Sequence, residues 1–73
     1  MTLAVRARAV VPGQLIELAP GVAPDAPDAP CVPLLVEATS RFAGLVALFV
    51  HDPEGDWAGL VILDESTDLA VRP

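Results

Sequence analysis

A chain of 73 residues makes one domain at most, and a domain of that size buries only about 60% of the surface its unfolded chain exposes. The single cysteine, Cys31, excludes an intramolecular disulfide, and the single histidine, His51, argues against a structural zinc, so oligomerisation is the remaining way to gain stability. Ten acidic residues against four arginines give a net charge of −6, which disfavours attraction to nucleic acid or to an anionic membrane surface and favours a basic protein partner.

Lysine is absent, and Ala, Val, Pro and Asp are abundant, as a GC-rich bacterial or phage genome would encode. The longest apolar run, Leu45 to Val50, is far short of the roughly 20 residues that span a bilayer, and no basic segment followed by an apolar one opens the sequence. These features predict a cytoplasmic protein, or one assembled into a virion if the source is a phage.

Leu3 to Val11 alternates, with Leu3, Val5, Ala7, Ala9 and Val11 on one face, and predicts a half-buried strand. The helical alternative rests on Ala and Arg as good helix formers, but Pro12-Gly13 would stop a helix after about two turns. Arg6 and Arg8 would lie on the exposed face and pair with Glu17 or Glu37 across the sheet. Gln14 to Leu18 predicts a short strand between two Pro-Gly turns, at Pro12-Gly13 and Pro20-Gly21.

Residues 22–31 contain an imperfect triplet repeat, Ala-Pro-Asp, Ala-Pro-Asp, Ala-Pro-Cys. Its prolines, Pro24, Pro27 and Pro30, forbid a ladder and predict an extended polyproline II connector. A stiff spacer is the plain expectation; an arm laid over a neighbouring subunit is the functional one. Val32 to Ala38 predicts a third strand, followed by a connection over Thr39 to Gly44.

The strongest local signal is a β-hairpin. Leu45–His51 and Trp57–Leu63 are apolar runs joined by Asp52-Pro53-Glu54-Gly55, a type I turn by its residue types, with Gly59 marking a bulge or a close backbone approach. Neither run alternates cleanly, so both faces of the ribbon favour burial and a short chain offers little to cover them. A polar turn over Asp64 to Asp68 and a short strand, Leu69 to Val71, complete the chain. The expected architecture is all-β, a five- to six-stranded antiparallel meander closing as a small barrel or a two-layer sandwich.

The inventory of reactive groups is sparse. His51-Asp52 is the one base beside a carboxylate, but neighbours on a strand point to opposite faces. Cys31 has two aspartates upstream and no nearby cation, which predicts a buried, inert thiol. The acidic groups Asp52/Glu54/Asp56 and Asp64/Glu65/Asp68 lack the ligand spacing of a calcium loop. No metal, cofactor or catalytic residue is expected, and neither is an enzyme.

What the sequence supports is a structural or assembly role. Its contact surface would be formed by Val46, Leu48, Val50, Trp57, Leu60, Val61 and Ile62 of the hairpin, with Pro24, Pro27 and Pro30 of the arm. The partner would be a second copy or a larger protein assembly, with capsid decoration and tail proteins of bacterial viruses as analogues in character. The alternative is a small acidic β-barrel acting as inhibitor, antitoxin or adaptor for one protein.

Overall fold

The structure, a computed structural model, describes residues 2–19 and 21–72. Its strands are β1 (Leu3–Arg6), β2 (Leu15–Glu17), β3 (Leu34–Phe42), β4 (Leu45–His51), β5 (Ala58–Asp64) and β6 (Asp68–Arg72), with one 3-10 turn at Ala7–Ala9. All six belong to one antiparallel sheet in the order β1-β6-β2-β3-β4-β5. Strands β2 to β5 form a meander, as the sequence predicts. The last strand does not extend it; β6 inserts between β1 and β2, and β1 joins the sheet only through β6.

That order forces the sheet to curl. In a flat sheet β5 and β6 would stand four strand spacings apart, about 19 Å at roughly 4.8 Å each. The link from Asp64 to Asp68 reaches about 14 Å when fully extended. It is in fact a tight turn, in which Thr67 N–H donates to the Asp64 carbonyl at 3.0 Å. Further backbone bonds hold the curl, from Ala7 N–H to Thr67 O (2.8 Å), Arg8 N–H to Glu65 O (3.2 Å) and Glu65 N–H to Gly44 O (3.0 Å). The curl stops short of closure, because no ladder joins β1 to β5 and these remain the two edges. The barrel or two-layer sandwich expected from the sequence is therefore not formed by strand pairing.

The concave face carries the core. Ile16, Leu34, Val36, Val46, Leu48, Val50, Val61, Leu63, Leu69 and Val71 lie there, and Leu18, Ala23 and Ala26 of the segment after β2 complete the cluster. Its aliphatic composition follows from the sequence, since the two phenylalanines face out and Trp57 packs only against the margin.

Several local expectations change. The first strand ends at Arg6, because Ala7–Ala9 turns to meet the Glu65–Thr67 backbone and buries Ala7 completely. Arg6 stands opposite Asp68 in register, whereas Glu17 pairs with Arg72 and Glu37 with His51. With β6 between β1 and β2, the pairing of Arg6 or Arg8 with Glu17 or Glu37 expected from the sequence does not form.

Both Pro-Gly turns carry the expected bonds. Gln14 N–H donates to Val11 O (3.4 Å) and Val22 N–H to Ala19 O (3.1 Å), with Gly13 and Gly21 at positive φ. Pro20 itself lies outside the described residues. The connector is not an extended polyproline path. Ala26 N–H donates to Ala23 O (3.0 Å) and Ala29 N–H to Ala26 O (3.1 Å), so each Ala-Pro-Asp-Ala folds as a turn with proline in the second position, where its fixed φ belongs.

Strand β3 runs past Ala38 to Phe42, with a register shift between Val36 and Ala38 that leaves Glu37 at the irregularity. Ala43 and Gly44 then form a two-residue hairpin turn, both at positive φ (50° and 79°). A turn of this kind matches the twist of the strands but favours Asn or Gly in its first central position. Among the described residues no helix is long and apolar enough to cross a membrane.

Ala43 is the one non-glycine residue at positive φ among those described, and an L-alanine there is strained by about 1 kcal/mol. Ala43→Asn should therefore stabilise the fold by several tenths to about 1 kcal/mol, raising Tm by roughly 2–8 °C in a domain of this size. Thermal melts of the two chains monitored by circular dichroism check this.

Candidate interaction surface

Alternation along β3, β4 and β5 sorts the hairpin residues into two sets. Val46, Leu48, Val50 and Val61 point inward and are no more than 2% exposed, so these four form core, not contact surface. The opposite set meets solvent. In register across the three strands it comprises Ala38, Ser40 and Phe42, then Leu45, Ala47 and Phe49, then Leu60 and Ile62. Phe42 and Phe49 are each 48% exposed and Leu60 is 41% exposed.

This outer face is apolar across its centre. Phe49 lies between Ala38 and Leu60, and Ala47 between Ser40 and Ile62. Ala47 points outward yet is 6% exposed, because a methyl group in the middle strand is shaded by longer neighbours on both sides. Ionisable groups stand at its ends. Asp64 lies opposite Leu45, and at the other end His51 Nδ1 lies 3.3 Å from Glu37 Oε2. The Nδ1 atom is shielded from solvent, and its contact with Glu37 falls within ion-pair distance without hydrogen-bond geometry. An ion pair forms there when the imidazole is protonated.

Two of the predicted contact residues, Leu60 and Ile62, thus belong to the outer face. Trp57 does not. It is half-buried, precedes β5 and packs at the margin of the core, and its indole N–H donates to Asp28 Oδ2 at 3.2 Å. The ring also lies across Gly59, where an added Cβ would come within 2.9 Å of it. What crowds Gly59 is thus a side-chain ring in place of the close backbone approach expected, and the bulge lies at β3.

The repeat explains how the connector is held. Ala23 and Ala26 are buried while Pro24, Pro27, Asp25 and Asp28 are exposed and Pro30 is half-exposed. Its carboxylates reach β5 and the tryptophan before it. Asp25 Oδ2 accepts from Ile62 N–H at 3.1 Å, and Asp28 takes the Trp57 indole. The connector so lies along an edge strand whose outward amides have no neighbouring strand. Sequence reasoning weighed these aspartates only as charges upstream of Cys31. The available signal was their period of three, which places both on the same side of a repeating turn.

The remaining polar groups serve local structure. Asp52 Oδ1 accepts from Glu54 N–H (2.9 Å), so it caps its own turn and does not orient His51. Asp64 Oδ1 accepts from the Ser66 backbone and hydroxyl. Among the described residues no group of three His, Cys, Asp or Glu could hold a metal ion. Cys31 is exposed, contrary to the buried thiol expected. It lines a cavity of about 270 Å³ between the connector and Leu18, together with Ala19, Gly21, Ala23, Ala26, Pro27 and Ala29. Its side chains are apolar apart from the thiol, and the cavity shows no paired acid and base.

Asp25→Ala should leave the fold intact and speed exchange of the Ile62 amide about five-fold, the loss of one hydrogen bond worth roughly 1 kcal/mol; amide exchange by NMR reads it directly. The hydrogen bonds from Ser66, side chain first and then backbone, hold the Asp64 carboxyl below the ordinary aspartate value of 3.8. A depressed folded value stabilises above the unfolded value and is lost as pH falls through the folded one. Ser66→Ala should raise the Asp64 midpoint in an NMR titration.

Comparison of the chain with known protein families, curated proteins and solved structures returns no match.

Proposed function

We propose that this chain is a non-enzymatic assembly protein that self-associates through the outer face of β3, β4 and β5. The observation that supports this reading is the continuous apolar surface around Phe42, Phe49 and Leu60, on a chain whose core is already filled from the opposite side of the same strands. A small soluble monomer gains nothing from two exposed phenylalanines and a leucine on one face, whereas a contact surface gains desolvation at roughly 25 cal/mol per Å² buried. Charged groups at the ends of the face leave its centre free to pack. Decoration and tail proteins of bacterial virions are one setting in which a small, acidic, many-copy protein of this kind works.

A second reading keeps its own support. The net charge of −6 suits an inhibitor, antitoxin or adaptor that receives one basic protein. Stoichiometry separates the two, since assembly requires many identical copies and regulation one or two per partner.

Light scattering on a size-exclusion column over a wide concentration range should show the wild-type chain above its monomer mass of 7.6 kDa. Phe49→Glu places a charge at the centre of the face on an exposed position and should weaken association at least tenfold with an unchanged circular dichroism spectrum. Val61→Glu, at a fully buried position, should unfold the chain instead. A wild-type monomer at every concentration, or an oligomer indifferent to Phe49→Glu, would overturn the assignment of this face.

A further inference from the structure

The sheet has two edges, and they are treated differently. Along β5 the outward Ile62 amide is taken by Asp25 and the connector stands beside the strand. Among the described residues β1 pairs only with β6 and nothing covers its other side.

The direction of the β1 amides follows from the ladder. Leu3, Val5 and Ala7 stand in one register with Val71, Leu69 and Thr67, and Ala7 N–H donates to Thr67 O at 2.8 Å. In an antiparallel pair, bonding positions alternate, so Leu3 and Val5 turn their amides toward β6 while Thr2, Ala4 and Arg6 turn theirs outward. The same alternation carried across the sheet turns Ile62 N–H outward from β5, where it meets Asp25.

We propose that β1 is a second self-association surface, pairing antiparallel with β1 of another copy about a two-fold axis at Ala4. This deepens the self-association reading and rests on it. In that register Ala4 faces Ala4 of the second copy, Thr2 faces Arg6, and the outward amides and carbonyls of Thr2, Ala4 and Arg6 all find partners. Leu3 faces Val5 of the second copy on the concave side, twice by symmetry. Leu3 is 53% exposed even though its partner across the β6 ladder, Val71, is buried. The pairing supplies the missing neighbour. No like charges meet, since the two Arg6 side chains stand four positions apart, about 13 Å along the strands, and each arginine has Asp68 opposite it within its own chain. A register shifted by two residues either way would run into the 3-10 turn at Ala7 or leave Leu3 facing only itself.

With an outer-face contact and an edge contact on one small chain, each copy can bind two different neighbours, and association extends beyond a dimer. The acceptor is a second copy because the exposed segment is self-complementary in sequence and register, whereas on the other edge the Ile62 amide already has its acceptor in Asp25.

The test uses the full chain and light scattering. Ala4→Glu and Ala4→Arg change an exposed side chain at the axis without touching the β6 ladder. Each alone should weaken edge association at least tenfold, and an equimolar mixture should restore it. In the Phe49→Glu background a dimer should remain, and Ala4→Cys combined with Cys31→Ser should cross-link that dimer on oxidation. Association that Ala4→Glu leaves unchanged, or that the mixture fails to restore, overturns the edge contact while leaving the outer-face contact standing. A residual dimer in Phe49→Glu that Ala4→Glu dissolves supports the edge contact even where the outer-face assignment fails. A wild-type chain that stays monomeric at every concentration overturns both.

Discussion

The insertion of β6 between β1 and β2 is the constraint on which the rest of the molecule depends. It joins Leu3–Arg6 to Asp68–Arg72 and the latter to Leu15–Glu17, so residues from both ends of the sequence share one pair of ladders. Leu69 and Val71 enter the core only by this route, and the Arg72–Glu17 contact follows from it. Because the preceding strand lies at the far edge, the same insertion bends the sheet and creates a concave side on which an aliphatic core can form. Closing such distant contacts is entropically costly before it is rewarded, so folding is expected to be slower than for a local hairpin fold.

Curling also resolves the difficulty posed by strands with two apolar faces. The concave face takes Val46, Leu48, Val50, Val61 and Leu63, and the connector supplies Ala23 and Ala26 to complete it. Among the described residues nothing covers the convex face comparably. Its exposed aromatic groups follow from the register, which turns Phe42 and Phe49 away from the core residues of the same strands.

The all-β class, the β4–β5 hairpin, its Asp-Pro-Glu-Gly turn and the two Pro-Gly turns were legible because each is set by residues within a few positions of one another. The position of β6 was not, since nothing in Leu69–Val71 states which strand it will meet. The turn at Ala43-Gly44 escaped because alanine is an unusual occupant of a left-handed position, and the hidden strand end at Phe42 escaped with it. Of the residues now seen on the outer face, the sequence singled out Leu60 and Ile62 but not Phe42 and Phe49. A run such as Leu45–Val50 gives no periodicity from which to tell inside from outside. Only the register, with its shift at Glu37, makes that distinction.

The connector carries one more implication, for how its length can vary. Buried alanines recur every three residues, and the carboxylates that reach Ile62 and Trp57 recur in the same phase. Removing or adding one or two residues would swing proline or aspartate into the alanine positions and aim the carboxylates away from β5. A whole triplet preserves the phase and moves the contacts along the strand as a set. The segment thus behaves as a ratchet with a three-residue step, in which drift by substitution is open at the prolines while drift by insertion is quantised.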